Sequence, residues 1–284
     1  MSITLKNVIL AEKAGFCFGV KRAVDEALNA KNKFNKKIYT LGPLIHNNDV
    51  VSFLIDNDIY PVSLEEIDKL EDGDIIIIRS HGVSPRVLEV LNSKKLTIID
   101  ATCPYVSNIQ QKAKKYFELG YNIIIVGDKN HPEVVGINGW CNNNAIISKD
   151  GSELHHLPSK VCVLSQTTEK QENWEKVLCR ITKMCKEIVA FNTICSATEV
   201  RQKSAGEISK KVDVMVVLGG KNSSNTTKLY EICKKNCSNT IHVENSNEIP
   251  EDIFKSQTIN TIGITAGAST PDWIIKEAID KLKS

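Results

Sequence analysis

The sequence predicts an α/β protein of three related domains with pseudo-threefold symmetry around a central site, and three observations carry that reading. First, β-branched runs end in a small polar turn and a thiol at Cys17, Cys103 and Cys195, with intervals of 86 and 92 residues and 89 residues after the last. Second, each interval alternates short apolar runs with segments of helical periodicity, the pattern of a parallel sheet with helices on its faces. Third, polar residues recur in register: 29, 28 and 28 residues beyond the three cysteines stand His46, His131 and Ser223. Strand C-termini of parallel sheets are where ligands bind, so equivalent loops of three repeats are expected to converge.

The first domain, 17–102, opens with FGVKRAVDEALNA, which places Val20, Val24 and Leu28 on one helical face. The strand KIYTL runs into the loop GPLIHNN with His46, followed by the helix DVVSFLIDN, a strand near Tyr60 and the linker SLEEIDKLEDG. DIIIIRSHGVS is a continuous apolar run, as in a strand covered on both faces, and ends at Ser80 and His81. Pro85 suits a first helical turn, and LTIID then delivers Cys103.

The second domain, 103–194, repeats the order with the helix NIQQKAKKYFELG, the strand YNIIIVG and a loop carrying His131 and Glu133. A short helix to Trp140, the strand AIISK, the linker DGSELHHL, the strand KVCVLSQTT with Thr167, a helix and EIVAFNTIC complete it. The third domain, from 195 to 284, has the loop KNSSNTT after VDVMVVLGG and Ser269 near the end of TIGITAGAST, but lacks a closing strand. The unused strand ILAEK lies near the N-terminus, so residues 1–16 are expected to complete that domain.

Composition narrows the function. A net charge of +2 with 25% charged residues gives no basic excess of the kind a nucleic-acid surface requires, so no nucleic-acid partner is expected. The opening MSITLKNVILAEKAG lacks the pattern of a secretory leader, and no run of 18 apolar residues occurs, which predicts a soluble cytoplasmic protein without a membrane partner. Nine cysteines in such a chain argue against a disulfide framework and leave metal ligation, catalysis or burial. Cys141, Cys162, Cys179, Cys185, Cys233 and Cys237 lie off the repeat register and read as core or surface thiols, and His155, His156 and His242 as surface or linker residues.

Three converging thiols admit four uses: a zinc site with a fourth ligand, an iron–sulfur cluster with one iron lacking a protein thiolate, a redox pair with a spare, or simple burial. No cysteine pair has the C-x2-C knuckle spacing, which disfavours zinc. The other polar residues suit a small anion. His46, His81 and His131 donate hydrogen bonds, while Ser223, Asn225 and Ser269 are short donors on loops that run into helices, where backbone N–H groups favour anions. Glu133, two residues from His131, is the one carboxylate in these loops adjacent to a histidine, and a proton donor there is expected to have a raised pKa. The counter-readings are loop capping for the histidines, a helix-dipole partner for Glu133, and N-caps for Thr167 and Ser269.

The segments GFCFGVKRA, GPLIHN, RSHGVS, DATCP, NHPEVVG, SQTT, IC with the following RQ, KNSSNT and TAGAST occur in one order along nearly the whole chain. In these the chain resembles the 4-hydroxy-3-methylbut-2-enyl diphosphate reductase (LytB) family of the non-mevalonate isoprenoid pathway. The resemblance implies three α/β domains around a central [4Fe-4S] cluster on Cys17, Cys103 and Cys195, with one iron not ligated by cysteine. It also implies that the chain reductively removes the hydroxyl of an allylic diphosphate to give isopentenyl and dimethylallyl diphosphate. Carried over residue by residue, it gives His46, His81, His131, Thr167, Ser223, Ser224, Asn225 and Ser269 to substrate binding, with Thr167 in the hydrogen-bond network near the substrate hydroxyl; Glu133, Thr167 and His131 are the catalytic residues it implies, Glu133 delivering protons. The implied partners are the diphosphate substrate and an external electron donor such as ferredoxin or flavodoxin, in a monomer or homodimer. The chain departs from the family pattern at Gly220, where lysine or serine is common, and at Phe18, where a smaller residue is common. Two rival functions remain at this point: a cluster-dependent hydro-lyase and a non-enzymatic metal or redox sensor.

Overall fold

The computed structural model describes residues 6–34, 36–256 and 258–283. In chain order, β1 (Asn7–Leu10) is followed by α1 (Phe18–Phe34), β2 (Ile38–Leu41), α2 (Asn48–Asp56), β3 (Ile59–Val62), β4 (Ile75–Ile78), α3 (Pro85–Ser93) and β5 (Thr97–Asp100). Next come α4 (Pro104–Glu118), β6 (Asn122–Val126), α5 (Pro132–Gly139), β7 (Ile146–Ser148), β8 (Lys160–Ser165), α6 (Gln171–Ile181) and β9 (Glu187–Ala190). The chain closes with α7 (Ser196–Ser209), β10 (Val214–Leu218), α8 (Ser224–Asn236), β11 (Thr240–Val243), α9 (Asp252–Lys255), β12 (Thr261–Ala266) and α10 (Asp272–Lys283). No helix among the described residues is long and apolar enough to cross a membrane.

Among the described residues the strands form three four-stranded parallel sheets in the orders β3-β2-β4-β5, β7-β6-β8-β9 and β11-β10-β12-β1. Each sheet has its second strand outermost, then the first, third and fourth, so one topology is used three times. In the last sheet β1 takes the fourth place, pairing Asn7–Leu10 with Thr261–Ile264. Its pairing begins at Asn7 and ends at Leu10, so of the expected ILAEK segment only Ile9 and Leu10 are strand, and Lys13 already has φ 59°.

The chain divides into two compact units. One holds the described residues up to Phe18, His46–Val50 and those from Ser196 on; the other holds Gly19–Ile45 and Val51–Cys195. In the first unit, Met215 and Val217 pack with Leu229 and Cys233 of α8 on one sheet face. Val216, Ile262 and Ile264 pack with Ile275 and Ala278 of α10 on the other. In the second unit, Ile123 and Ile125 meet Ile109 and Ile137, while Ile124 and Val163 meet Trp174 and Val177 across the opposite face. Alternate residues of one strand thus enter two cores, which is why these strands read as unbroken apolar runs. Each isoleucine fully removed from water contributes about 1.5–3 kcal/mol before chain entropy is charged against it.

The helix after Cys17 differs from the amphipathic reading. Its buried residues are Gly19, Ala23, Val24, Ala27 and Ala30, and Val20 and Leu28 are only half-buried. Close approach, not bulk, sets this face: a Cβ on Gly19 would stand 2.7 Å from the Cys103 sulfur.

Candidate active site

The three cysteines occupy one structural position. Each is the residue immediately before a helix, α1, α4 or α7. Each donates its backbone N–H to a carbonyl in the loop after the third strand of its sheet: Cys17 to Ala268 (3.2 Å), Cys103 to Ser80 (3.0 Å) and Cys195 to Thr167 (3.0 Å). All three acceptors lie two residues past the strand end, beyond β12, β4 and β8. Before Cys103 and Cys195 the approach is the same as well: Asp100 Oδ1 accepts from the Thr102 N–H and Asn192 Oδ1 from the Ile194 N–H, an Asx turn three residues before each thiol. Cys17, Cys103 and Cys195 are all half-buried. Cys141, Cys162 and Cys233 are buried among apolar side chains, and burial pushes their thiols up to about 11, about 12 and about 12. Protonated sulfurs of that kind are inert as ligands at neutral pH.

His46, His131 and Ser223 also prove equivalent, each five residues past the end of the first strand of its sheet. The helices that follow use them differently. The His131 Nδ1 caps α5 by accepting the Glu133 N–H at 3.2 Å, and Ser223 caps α8 by accepting the Thr226 N–H at 3.4 Å. Ahead of α2 the cap is Asn47, whose Oδ1 accepts the Val50 N–H at 3.1 Å, leaving His46 one residue outside it. Capping and ligand contact are compatible for His131: with Nδ1 accepting, the neutral ring carries its proton on Nε2.

The third-strand loops correct the sequence register by one residue. An equal count of 64 from Cys17 and Cys103 pairs His81 with Thr167. In the structure His81 and Ser269 stand three residues past their strands and Thr167 two, because the Cys-to-strand-end spans differ by one residue. Nor do Thr167 and Ser269 cap helices, since α6 begins at Gln171 and α10 at Asp272. Their hydroxyls are used sideways instead.

In the second unit, Thr167 binds Glu133 twice: its N–H donates to Oε1 and its hydroxyl to Oε2, both at 2.6 Å. Glu133 is 2% exposed, so this carboxylate is held by an amide and a hydroxyl out of bulk water. The His131 and His81 rings meet edge to face, with centroids 5.2 Å apart. The loop carrying His81 is fixed from both sides. The Trp140 indole donates to the Val83 carbonyl at 3.0 Å, and Gly82 (φ 65°) lies so close to Gln110 that a Cβ would come within 2.5 Å of its amide nitrogen.

The loops of the first unit present hydroxyls, amides and backbone. The Ser269 hydroxyl donates to the His46 carbonyl at 3.1 Å and lies 3.4 Å from the Ser223 hydroxyl. Asn225 Oδ1 accepts the Ala268 N–H at 2.9 Å, and the Ala268 carbonyl in turn holds the Cys17 N–H. Ser223, Asn225 and Ser269 are buried, and Ser224, half-buried, opens α8. A Cβ on Gly220 would sit 2.4 Å from the His46 carbonyl oxygen, so a side chain at the departure from the family pattern would push this loop off His46.

One residue escaped the sequence. His242 is not a surface or linker histidine: it lies on β11, half-buried, with Nε2 2.9 Å from the carbonyl of Gly219, the first glycine of the Ser223 loop. Burial holds its pKa below the usual histidine value. Only the pairing of β11 with β10 reveals the contact, and no spacing in the sequence encodes it.

The family model described as LytB protein matches residues 8–283. The chain belongs to the LytB family. Among LytB relatives, the 4-hydroxy-3-methylbut-2-enyl diphosphate reductase of Clostridium perfringens is 63% identical over 278 residues, covering 98% of this chain and 99% of that one. The reductase of Caldanaerobacter subterraneus subsp. tengcongensis is 51% identical over 281 residues, covering 98% and 97%. A solved structure of (E)-4-hydroxy-3-methyl-but-2-enyl diphosphate reductase, described as the terminal enzyme of the non-mevalonate pathway, superposes with a TM-score of 0.70 at 41% identity over 98% of this chain and 99% of that chain. The Plasmodium falciparum E-1-hydroxy-2-methyl-but-2-enyl-4-diphosphate reductase superposes with a TM-score of 0.90 at 28% identity over 97% and 87%.

Proposed function

We propose that this LytB chain converts 4-hydroxy-3-methylbut-2-enyl diphosphate, two electrons and two protons into isopentenyl or dimethylallyl diphosphate and water. The enzyme is an oxidoreductase acting on a small diphosphate, as its relatives named above are. The observation that carries the site assignment is the repeated tie of each cysteine N–H to the second residue past a third strand, which singles out three of nine thiols.

Those three thiols fit an iron–sulfur cofactor. They are half-exposed and equivalent in backbone setting, while the remaining cysteines share neither that position nor a knuckle spacing. Cys17, Cys103 and Cys195 would hold a [4Fe-4S] cluster with one iron not ligated by cysteine. Such a group supplies electrons and a Lewis-acidic metal when bound.

The chain's own residues do the rest. Ser223, Ser224, Asn225 and Ser269, with His46, His81 and His131, bind the diphosphate through short neutral donors and imidazole N–H groups. Thr167 orients the substrate hydroxyl, and its 2.6 Å bond to Glu133 gives a proton path from that carboxyl to the departing oxygen. The His131 cap fixes the start of the helix on which Glu133 sits. Domains at 17–102, 103–194 and 195–284 with 1–16, a cytoplasmic location, and ferredoxin or flavodoxin as donor to a monomer or homodimer complete the reading.

The deciding assay uses anaerobically purified protein, substrate, and reduced methyl viologen. The expected result is consumption of substrate only when reductant is present, with both isomeric products formed. Turnover without reductant would replace the reductase with a hydro-lyase, and a loaded protein without any turnover would favour a sensor.

A further inference from the structure

We infer that Arg201 positions Cys17, an inference that rests on Cys17 being a cluster ligand as proposed above. Arg201 lies on α7 and is 2% exposed, yet it is not part of any substrate-facing loop. One guanidinium nitrogen donates to the carbonyl of Ala197 in its own helix at 2.9 Å, and the other to the carbonyl of Gly15 at 2.7 Å. The planar fork of arginine serves two carbonyls at once, which the single ammonium of lysine does less well.

The loop it grips needs an external hold. Between β1 and Cys17 the backbone enters the left-handed region twice, at Lys13 (φ 59°) and Gly15 (φ 92°). A side chain cannot replace Gly15, because a Cβ there would stand 2.9 Å from the Ile275 side chain and 3.2 Å from the Thr270 carbonyl. The main-chain bonds that follow are long: Gly15 N–H to Ala266 at 3.4 Å and Cys17 N–H to Ala268 at 3.2 Å. The charge-assisted bond from Arg201 is shorter than either and is of the stronger class. Ser204, one turn further along the same face of α7, adds a second tie by accepting the Glu12 N–H at 2.9 Å.

The same device recurs within the other unit. There Arg22 of α1 donates to the carbonyl of Thr102, the residue before Cys103. In both cases an arginine five or six residues beyond one cysteine anchors the carbonyl one or two residues before another.

The test uses anaerobically purified, cluster-loaded protein exposed to an iron chelator and iodoacetamide together, with labelling of each cysteine followed by peptide mass spectrometry. In the parent, Cys17, Cys103 and Cys195 are expected to be labelled at similar rates as iron leaves. In Arg201→Met, Cys17 should be labelled at least fivefold faster than Cys103 and Cys195, with an altered electron paramagnetic resonance signal of the reduced cluster. Arg201→Lys should return the ratio to within about twofold of the parent, and Ser204→Ala, a milder change, should raise it in the same direction. An unchanged ratio in Arg201→Met, or equal acceleration of all three together with buried Cys162, overturns the positioning role. Cys17→Ser separates the two readings: loss of its cluster upholds the ligand assignment, whereas a full cluster with the parent signal overturns both.

Discussion

The two units of this chain use one topology to prepare different chemistry. Around Ser223 and Ser269, the loops beyond the strands offer serine hydroxyls, an asparagine amide and backbone, held by Gly219, Gly220 and Gly267 at distances no Cβ permits. Around Glu133 and Thr167, equivalent loops carry a buried carboxylate, a threonine hydroxyl and two imidazoles in edge-to-face contact. The first set, with His46 in the same unit, is dominated by neutral donors that can hold negative charge. The second set adds a buried carboxyl that can exchange a proton. A repeated scaffold thus presents different side chains at matched positions, His131 in one loop and Ser223 in another.

Substitutions sharpen that contrast, beginning with the largest effect. Glu133→Gln preserves size and still accepts from the Thr167 amide, but cannot supply a proton. It should keep the parent's iron content and lose kcat by about 100-fold or more, the range for a removed general acid. Iron and sulfide analysis beside steady-state kinetics checks both halves, and unchanged turnover would remove Glu133 from proton delivery.

Asn225→Ala should act on the other side of the comparison. Losing a hydrogen bond to a charged group costs about 1.5–3 kcal/mol, so KM should rise about tenfold or more with a smaller change in kcat. Equal losses in kcat for Asn225→Ala and Glu133→Gln would break the division between the two regions.

Much of this was legible in the sequence because a repeat exposes its own register. The parallel strands announced themselves as unbroken isoleucine and valine runs, and the counts from Cys17, Cys103 and Cys195 found the His46, His131 and Ser223 loops. Elsewhere the determinants are contacts between distant residues. The small-residue face of α1 is set by how closely Gly19 must approach the Cys103 sulfur, and His242 is tied to Gly219 only through strand pairing. The pairing of His81 with Thr167 missed by one residue because connection lengths absorb insertions that a count from the cysteine cannot see. Arg201 likewise looks like an ordinary helical arginine until the loop before Cys17 folds onto it.

The most direct measurement is iron and sulfide content of anaerobically purified parent and Cys103→Ser proteins. Cys103 is the thiol whose backbone is pinned to Ser80 and whose sulfur fills the space that Gly19 leaves open. The account predicts iron and sulfide with brown absorbance in the parent and their loss or sharp reduction in Cys103→Ser, with the fold retained. A parent free of iron and sulfide under those conditions, or a Cys103→Ser protein carrying the full complement, would contradict it.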